Sequence, residues 1–138
     1  MALSFDTGVK SYTVNGVENA FSANLTDGNF IDRLCEAVTK LEKQHKALSV
    51  PENASTDDML DAIREYDKNV RKTIDGVLGD GVSDKVFGDL SAFALAGGQP
   101  IWLNLLFSIM EESERQFSEE ERAVNPKLKK FISKYGKK

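Results

Sequence analysis

The spacing of apolar side chains changes near residue 29. In the first 28 residues, apolar and polar positions alternate over residues 12–14 and again over residues 21–25, which is typical of strands with one buried face. Asn15-Gly16 lies between the two runs and favours a type I′ turn, although residues 17–19 could extend the loop. We expect an N-terminal β-hairpin that lies on a helix or pairs with another chain, because an isolated hairpin is marginally stable in water.

Helical spacing begins at Asn29. A first helix is expected from about Asn29 to Leu48, since Val50-Pro51 ends it. Ser55 or Thr56 caps a second helix, which is expected to end at Leu78-Gly79 with Gly79 in the left-handed conformation. The predicted buried faces consist of Ile31, Leu34, Val38, Leu41, His45 and Leu48 in the first helix and of Met59, Ile63, Tyr66, Val70, Ile74 and Val77 in the second.

A short helix and a strongly apolar helix complete the predicted body. Ser83 is expected to cap the short helix, which continues through Phe87. Gly97-Gly98 then forms a flexible joint, and Pro100 occupies the first position of the next helix. Residues 101–110 are apolar almost all round, so other helices of the chain or another subunit must cover this half on several sides. The helix turns acidic after residue 110 and is expected to break at Asn125-Pro126.

Charge separates the body from a short tail. The net charge is −4, but residues 127–138 hold six lysines and no acid, which leaves residues 1–126 at −10. The tail spacing predicts a basic amphipathic helix that docks on the acidic half of the fourth helix or on a neighbouring subunit. We therefore expect an α+β, predominantly α-helical fold, with one domain over residues 1–126 that contains the hairpin and about four helices.

Composition limits the compartment and the partners. The acidic body disfavours nucleic acid, and no apolar run is long enough to span a membrane, so neither is expected as a partner. The N-terminus lacks the basic and apolar segments of a secretion signal. Cys35 is the only cysteine, which suits a reducing compartment. These features predict a cytoplasmic protein.

Few residues offer chemistry. His45 is the only histidine and is expected to be a partly buried structural residue, while Cys35 is expected to be a small packing residue. Four aspartates lie near glycines, namely Asp75, Asp80, Asp84 and Asp89, but they do not follow the calcium-loop pattern. Turn and cap roles are expected for them, and the glycine spacing does not match a phosphate-binding loop. The sequence predicts no catalytic residue, metal or cofactor, and hence no enzyme.

Binding to another protein is the favoured role for the apolar residues. Trp102 suits an interface anchor and core filling equally well. The predicted partner-binding residues are Phe87, Trp102, Leu105, Leu106, Ile109, Phe131 and Tyr135.

Three segments together carry a family resemblance. The hairpin sequence SYTVNGVENAFSANL precedes the acidic helix entry TDGNFIDRL, and the second helix ends in IDGVLGDGVSDKVFGD before an apolar helix. This order resembles the small tail assembly chaperones of long-tailed bacteriophages and prophages of Gram-positive bacteria, over residues 12–112. Residues 74–89 are the most telling part of the resemblance.

The resemblance implies a non-enzymatic protein in the cytoplasm of a bacterial host. Such a chaperone coats the long helical tape measure protein before the tail tube polymerises and is absent from the finished virion. The apolar helix over residues 101–110 and the exposed hairpin edge suit a helical client and also predict self-association. Two other classes stay open. One is a phage structural component, such as a tail-completion or head–tail adaptor protein, and the other is a small regulatory module that binds an acidic partner through the basic tail.

Overall fold

The computed structural model describes residues 1–47, 53–122, 130 and 132–134. Along the chain the elements are β1 (Lys10–Val14), β2 (Val17–Ala23), α1 (Gly28–Ala47), α2 (Thr56–Leu78), α3 (Val82–Phe87), β3 (Leu95–Ala96), β4 (Gln99–Pro100) and α4 (Ile101–Arg122). An antiparallel hairpin followed by helices confirms the predicted α+β, mostly helical class. The predicted breaks at Val50-Pro51 and Asn125-Pro126 lie outside the described residues. In the tail, Lys130 and residues 132–134 are helical.

The N-terminal hairpin has the turn that its sequence favours. Val14 pairs with Val17, so the loop contains only Asn15 and Gly16. Their φ angles are +48° and +81°, and two positive φ angles in a two-residue loop are the mark of a type I′ turn. The register shifts between Tyr12 and Val14, where residue 13 of β1 lies opposite residues 18–20 of β2. Asn19, in the middle of these bulged residues, also has a positive φ of +53°. The loop of the hairpin therefore has two residues and does not extend over residues 17–19.

The core lies between the inner face of the hairpin and helices α1, α2 and α4. Tyr66, Val70 and Ile74 are buried as predicted. Met59 and Ile63 were assigned to the same face but are 46% and 40% exposed, so this part of the prediction is wrong. Helical spacing identifies a face, whereas the length of helix that is covered depends on where its neighbours end.

Two residues of α1 are more exposed than predicted. Cys35 was expected to be a packing residue, but its side chain is exposed. His45 was expected to be partly buried, and it is exposed at the edge of the core, where Nδ1 lies 3.3 Å from the hydroxyl of Tyr66. His45 was predicted to lie in the buried stripe and Cys35 next to it, so the packed face of α1 is smaller than the helical spacing suggests.

The junction between α2 and α3 corrects two predictions. Ser55 does cap α2, accepting from the amide of Asp58. However, Gly79 at the other end has φ +124° and ψ 154°, which is a glycine-favouring conformation other than the left-handed one. Ser83 does not cap α3. Its side chain is fully buried inside the helix, and the cap comes from Asp75, as described below.

Gly97-Gly98 forms a tight turn in place of the predicted flexible joint. The φ angles of these glycines are +65° and +85°, and they connect strands β3 and β4 in a second, very short antiparallel hairpin. Because α4 begins at Ile101, Pro100 directly precedes the helix and does not occupy its first position. The amide of Trp102 donates to the carbonyl of Ala92 over 3.0 Å, which ties the start of α4 to the preceding loop.

Candidate functional site

A groove of about 550 Å³ lies between the N-terminal hairpin, the end of α3 and the first half of α4, and we call it the hairpin groove. Its lining is mainly apolar and aromatic, as expected for a site that accepts side chains of a partner. The lining residues are Tyr12, Thr13, Val14, Asn15, Phe21, Leu25, Val86, Phe87, Leu90, Ala96, Ile101, Asn104, Leu105, Ser108, Ile109 and Glu112.

Helix α4 supplies an apolar floor and a polar rim. Ile101, Leu105 and Ile109 are spaced by four residues, so they form one row along the helix. A second row at the same spacing contains Asn104, Ser108 and Glu112, and Ser108 is exposed to solvent. One helix therefore offers apolar contact surface and hydrogen-bonding groups side by side.

The edge of β1 borders the groove. Four consecutive residues, Tyr12 to Asn15, line it. Successive side chains of a strand point to opposite faces, so a lining made of consecutive residues indicates that the groove runs along the strand edge. Among the described strands, β1 pairs only with β2. Its other edge therefore presents backbone groups that a further strand could bind.

Arg71 of α2 holds the α3 wall in place. The side chain is only 16% exposed, and its guanidinium carbon lies 5.8 Å from the centre of the Phe87 ring. The guanidinium donates to Asp67 over 3.0 Å, to Asp84 over 2.9 Å, and to the carbonyl oxygens of Gly88 and Leu90 over 3.1 and 2.5 Å. Asp67 also accepts from the amide of Ala92 over 2.6 Å. These bonds position Phe87 and Leu90 in the groove.

Asp75 fixes the start of the same wall. Its two carboxylate oxygens accept from the amides of Gly81 and Ser83 over 3.1 and 2.8 Å. A carboxylate at this end of a helix satisfies free amides and is favoured by the helix dipole. The last turn of α2 thus caps α3 across the sharp bend at Gly79.

Two hydrogen bonds join the hairpin side of the groove to α4. The Ser113 hydroxyl donates to the carbonyl of Leu25 over 2.6 Å in a buried position. The side-chain amide of Gln116 donates to the hydroxyl of Tyr12, also over 2.6 Å. Tyr12 stacks on Phe21 with ring centres 5.2 Å apart, so both strands of the hairpin are fixed relative to the helix.

A negative charge lies at this end of the groove. Arg115 hydrogen-bonds Glu112 and, with a second bond from Gln116, holds the pKa of Glu112 at about 2, below its ordinary value of 4.5. Arg115 also pairs with Glu119. Glu112 is therefore ionised at neutral pH and lies at one end of the polar rim.

The predicted partner-binding residues fall into three groups. Phe87, Leu105 and Ile109 line the groove. Trp102 and Leu106 are fully buried in the core, which makes them support for the groove and removes them from its surface in this conformation. Phe131 and Tyr135 lie outside the described residues. The partner-binding role itself stays a prediction.

Sequence reasoning missed the hairpin wall and the polar rim. The rim carried a usable signal, because Asn104, Ser108 and Glu112 recur every four residues within a helix that is otherwise apolar. The contribution of Tyr12 and Val14 had no such signal. It depends on contacts between segments about a hundred residues apart.

The remaining acidic residues do not form a cluster. Asp75 caps α3, and Asp84 pairs with Arg71. Within the part of the chain that the structure describes, no three His, Cys, Asp or Glu side chains lie close enough to share a metal ion. In the same residues, no helix has the length and apolar character needed to cross a membrane.

No curated protein and no solved structure shows significant similarity to the chain. A family match covers residues 15–138. These residues include β2, all four helices named above and most of the groove lining. The chain therefore belongs to DUF6673, a family of unknown function.

Proposed function

We propose that the protein is a non-enzymatic tail assembly chaperone of a bacteriophage or prophage, and that it binds the tape measure protein in the host cytoplasm. The sequence resemblance over residues 12–112 supports the choice of client. The observation that carries the proposal is the hairpin groove, a mainly apolar concavity with a polar rim and with walls held by hydrogen bonds from Arg71 and Ser113.

The client segment in this proposal is an amphipathic helix. Its apolar side chains lie on the floor formed by Leu105 and Ile109, and its polar flank meets Asn104 and Ser108 at the rim. The ionised Glu112 favours a basic residue at one end of the segment. A helix seated in a groove in this way hides its apolar stripe from water, which is how the chaperone would keep a long helical client soluble.

Co-expression with the tape measure protein of the same gene cluster tests the proposal. Size exclusion with light scattering is expected to give a soluble complex for the unchanged protein. Ser108→Arg places a long cation at the exposed rim, one helical turn from Glu112 in the same row of α4. There it neutralises that carboxylate and occupies the space of the client's polar flank, so client affinity should fall at least about tenfold, which is about 1.4 kcal/mol. Met59→Asp is the control, because Met59 is also exposed at the surface but lies outside the groove lining. It is in the first turn of α2, where the helix dipole favours an acidic side chain.

Three outcomes would overturn parts of the proposal. An aggregated tape measure protein beside an unbound, soluble partner would contradict the chaperone function. Recovery of the protein from purified virions would favour the structural or adaptor class. If deletion of residues 127–138 abolished all binding while Ser108→Arg had no effect, the basic tail and not the groove would be the binding site, as a regulatory module requires.

A further inference from the structure

Residues 1–9 form an exposed apolar arm in front of β1. Met1, Leu3 and Phe5 are spaced by two, which puts their side chains on one face of an extended segment. Leu3 is 92% exposed and Phe5 is 83% exposed, so the chain's own body does not cover them. Large apolar side chains repeated along one face of an extended segment are a mark of a strand that pairs with something else.

The arm is held at its base and not along its length. The side-chain amide of Asn24 donates to the carbonyl of Thr7 over 2.9 Å, and Asp6 accepts from the amide of Gly8 over 2.8 Å. Gly8 has a φ of +73°, and a Cβ at this position would lie 2.6 Å from Asn24. The turn at Gly8 therefore sets the direction in which residues 1–5 leave the body.

The hairpin groove has the features that such an arm requires. An added strand needs a free strand edge for backbone hydrogen bonds and pockets for alternate side chains. The edge of β1 provides the first, and the floor of α4 provides the second. Side chains two positions apart on a strand are separated by ~7 Å, which is comparable with the ~6 Å that separates Leu105 and Ile109, four residues apart, along the helix axis.

We propose that residues 1–5, the outer part of the arm of one copy, dock in the hairpin groove of a second copy. Leu3 and Phe5 lie over the floor, and the arm backbone pairs with the edge of β1. The arm is anchored near Lys10, where β1 begins, whereas the groove extends to Asn15, beyond the other end of the strand. Because the two lie at different ends of β1, the arm leaves the groove of its own copy open. Every copy thus carries an arm that can bind a second copy and, at a different place, a groove that can receive the arm of another copy.

Charge is compatible with this contact. Residues 1–126 carry a net charge of −10, so two bodies repel each other. Residues 1–5 contain no charged side chain. The arm therefore reaches the groove of another copy without bringing additional negative side chains close to Glu112. A contact made by one short arm is small compared with a stable dimer interface, so the association should be reversible.

Client and arm would compete for the same groove, and this consequence rests on the proposed function. The arm–groove contact itself does not. Loss of the arm would then leave client binding intact or strengthen it, because the groove would no longer be filled by a second copy.

Sedimentation of the full chain without any client tests the contact. Between ~10 µM and ~1 mM, the weight-average mass of the unchanged protein is expected to rise above the 15.3 kDa of one copy. The arm variant Leu3→Asp/Phe5→Asp and the groove variant Ser108→Arg should each stay at the mass of one copy. All these substitutions are at exposed positions, so circular dichroism and urea midpoints should match those of the unchanged protein.

Mixing the two variants provides the decisive measurement. The arm variant keeps an intact groove and the groove variant keeps an intact arm, so an equimolar mixture should regain complexes of two copies that neither variant forms alone. Met59→Asp should associate like the unchanged protein. The proposal is overturned if the unchanged protein stays at one copy throughout, if the variants associate as it does, or if the mixture fails to form complexes. None of these readouts involves the tape measure protein, so they are independent of the proposed function.

Discussion

At the junction of α2 and α3, charged side chains are paired around Arg71, which is 16% exposed, whereas the hairpin groove is lined mainly by apolar side chains that border the core, such as Leu105 and Ile109. Arg71 and Asp75 together bind six polar groups of the protein there. On the groove side, single hydrogen bonds from Ser113 and Gln116 connect α4 to the hairpin. The two regions share one element, since the end of α3 is both the bonded partner of Arg71 and a wall of the groove.

The difference explains how an apolar groove can stay open. Apolar walls gain free energy by closing on each other, and closure here would have to move Phe87 and Leu90. Arg71, whose side chain is 16% exposed, holds the segment that carries these residues through charge-assisted bonds to Asp84 and to the carbonyls of Gly88 and Leu90, and bonds of this kind restrict movement. The polar junction thus acts as a rigid support for the apolar binding surface.

The largest expected effect is the loss of Arg71. Arg71→Ala removes the guanidinium that binds Asp67 and two backbone carbonyls. We expect a loss of about 3 kcal/mol in the free energy of unfolding. This value is at the low end for buried ion pairs, because the side chains of Arg71 and Asp67 are both partly exposed. Arg64→Ala removes an exposed pair with Asp61 and should cost no more than about 0.5 kcal/mol. Urea denaturation measures both. Equal losses would show that Arg71 is no more important than a surface ion pair.

The groove side should be sensitive at Ser113. Ser113→Ala leaves the buried carbonyl of Leu25 without its donor, so a loss of about 2 kcal/mol is expected. Ser83→Ala is the matched control, because Ser83 is equally buried but its hydroxyl has no hydrogen-bond partner among the described residues. Its removal should change the stability by less than about 0.5 kcal/mol. The prediction fails if Ser83→Ala is the more damaging of the two in thermal or urea unfolding.

A smaller effect is expected for the cap of α3. Asp75→Asn keeps the size of the side chain but removes its charge and one of its two acceptor oxygens, and should lower the free energy of unfolding by about 1 kcal/mol. Asp80→Asn, at an exposed position in the following turn, should have almost no effect. Hydrogen exchange of the Ser83 amide reports the cap directly. Unchanged protection in Asp75→Asn would contradict the proposed role.

The smallest effect concerns acid and Glu112. Its pKa of about 2 in the folded state lies below the ordinary 4.5, so folding favours the ionised form. The resulting stabilisation is complete above pH 4.5 and is lost as the pH falls from 4.5 to about 2. The side chain is 31% exposed, so solvent screens much of the effect.

Urea midpoints of the unchanged protein and of Glu112→Gln, measured at about pH 6 and about pH 3, check the acid dependence. Between the two pH values, Glu112→Gln should lose less stability than the unchanged protein. The control Glu120→Gln, at an exposed position, should lose as much stability as the unchanged protein. A variant as acid-sensitive as the unchanged protein would show that Glu112 does not contribute.

Features determined by neighbouring residues were predictable from the sequence. Asn15-Gly16 allows two positive φ angles in succession, and Ser55 has a free amide within reach three residues later. The boundaries of α1 and α2 agree with their apolar spacing to within a few residues where the structure describes them. Each of these features involves contacts within one turn of the chain.

Two of the errors, at Ser83 and at Gly97-Gly98, occurred where two local solutions competed. Ser83 is a good cap residue, but the carboxylate of Asp75 reaches the same amides because the bend at Gly79 brings the end of α2 close to α3. Gly97-Gly98 permits a flexible joint or a tight turn equally well, and the pairing of Leu95 with Pro100 selects the turn. In both cases the deciding contact comes from another element.

The sequence by itself determined that this chain forms a hairpin and amphipathic helices, and that Leu105 and Ile109 lie on an apolar helix. Only the tertiary structure decided that Leu105 and Ile109 line a groove at the border of the core, whereas Trp102 and Leu106 lie fully inside it. A helix that is apolar all round carries no pattern to distinguish these positions. The choice follows from contacts such as those of Ser113 with Leu25 and Gln116 with Tyr12, which join residues 88 and 104 positions apart.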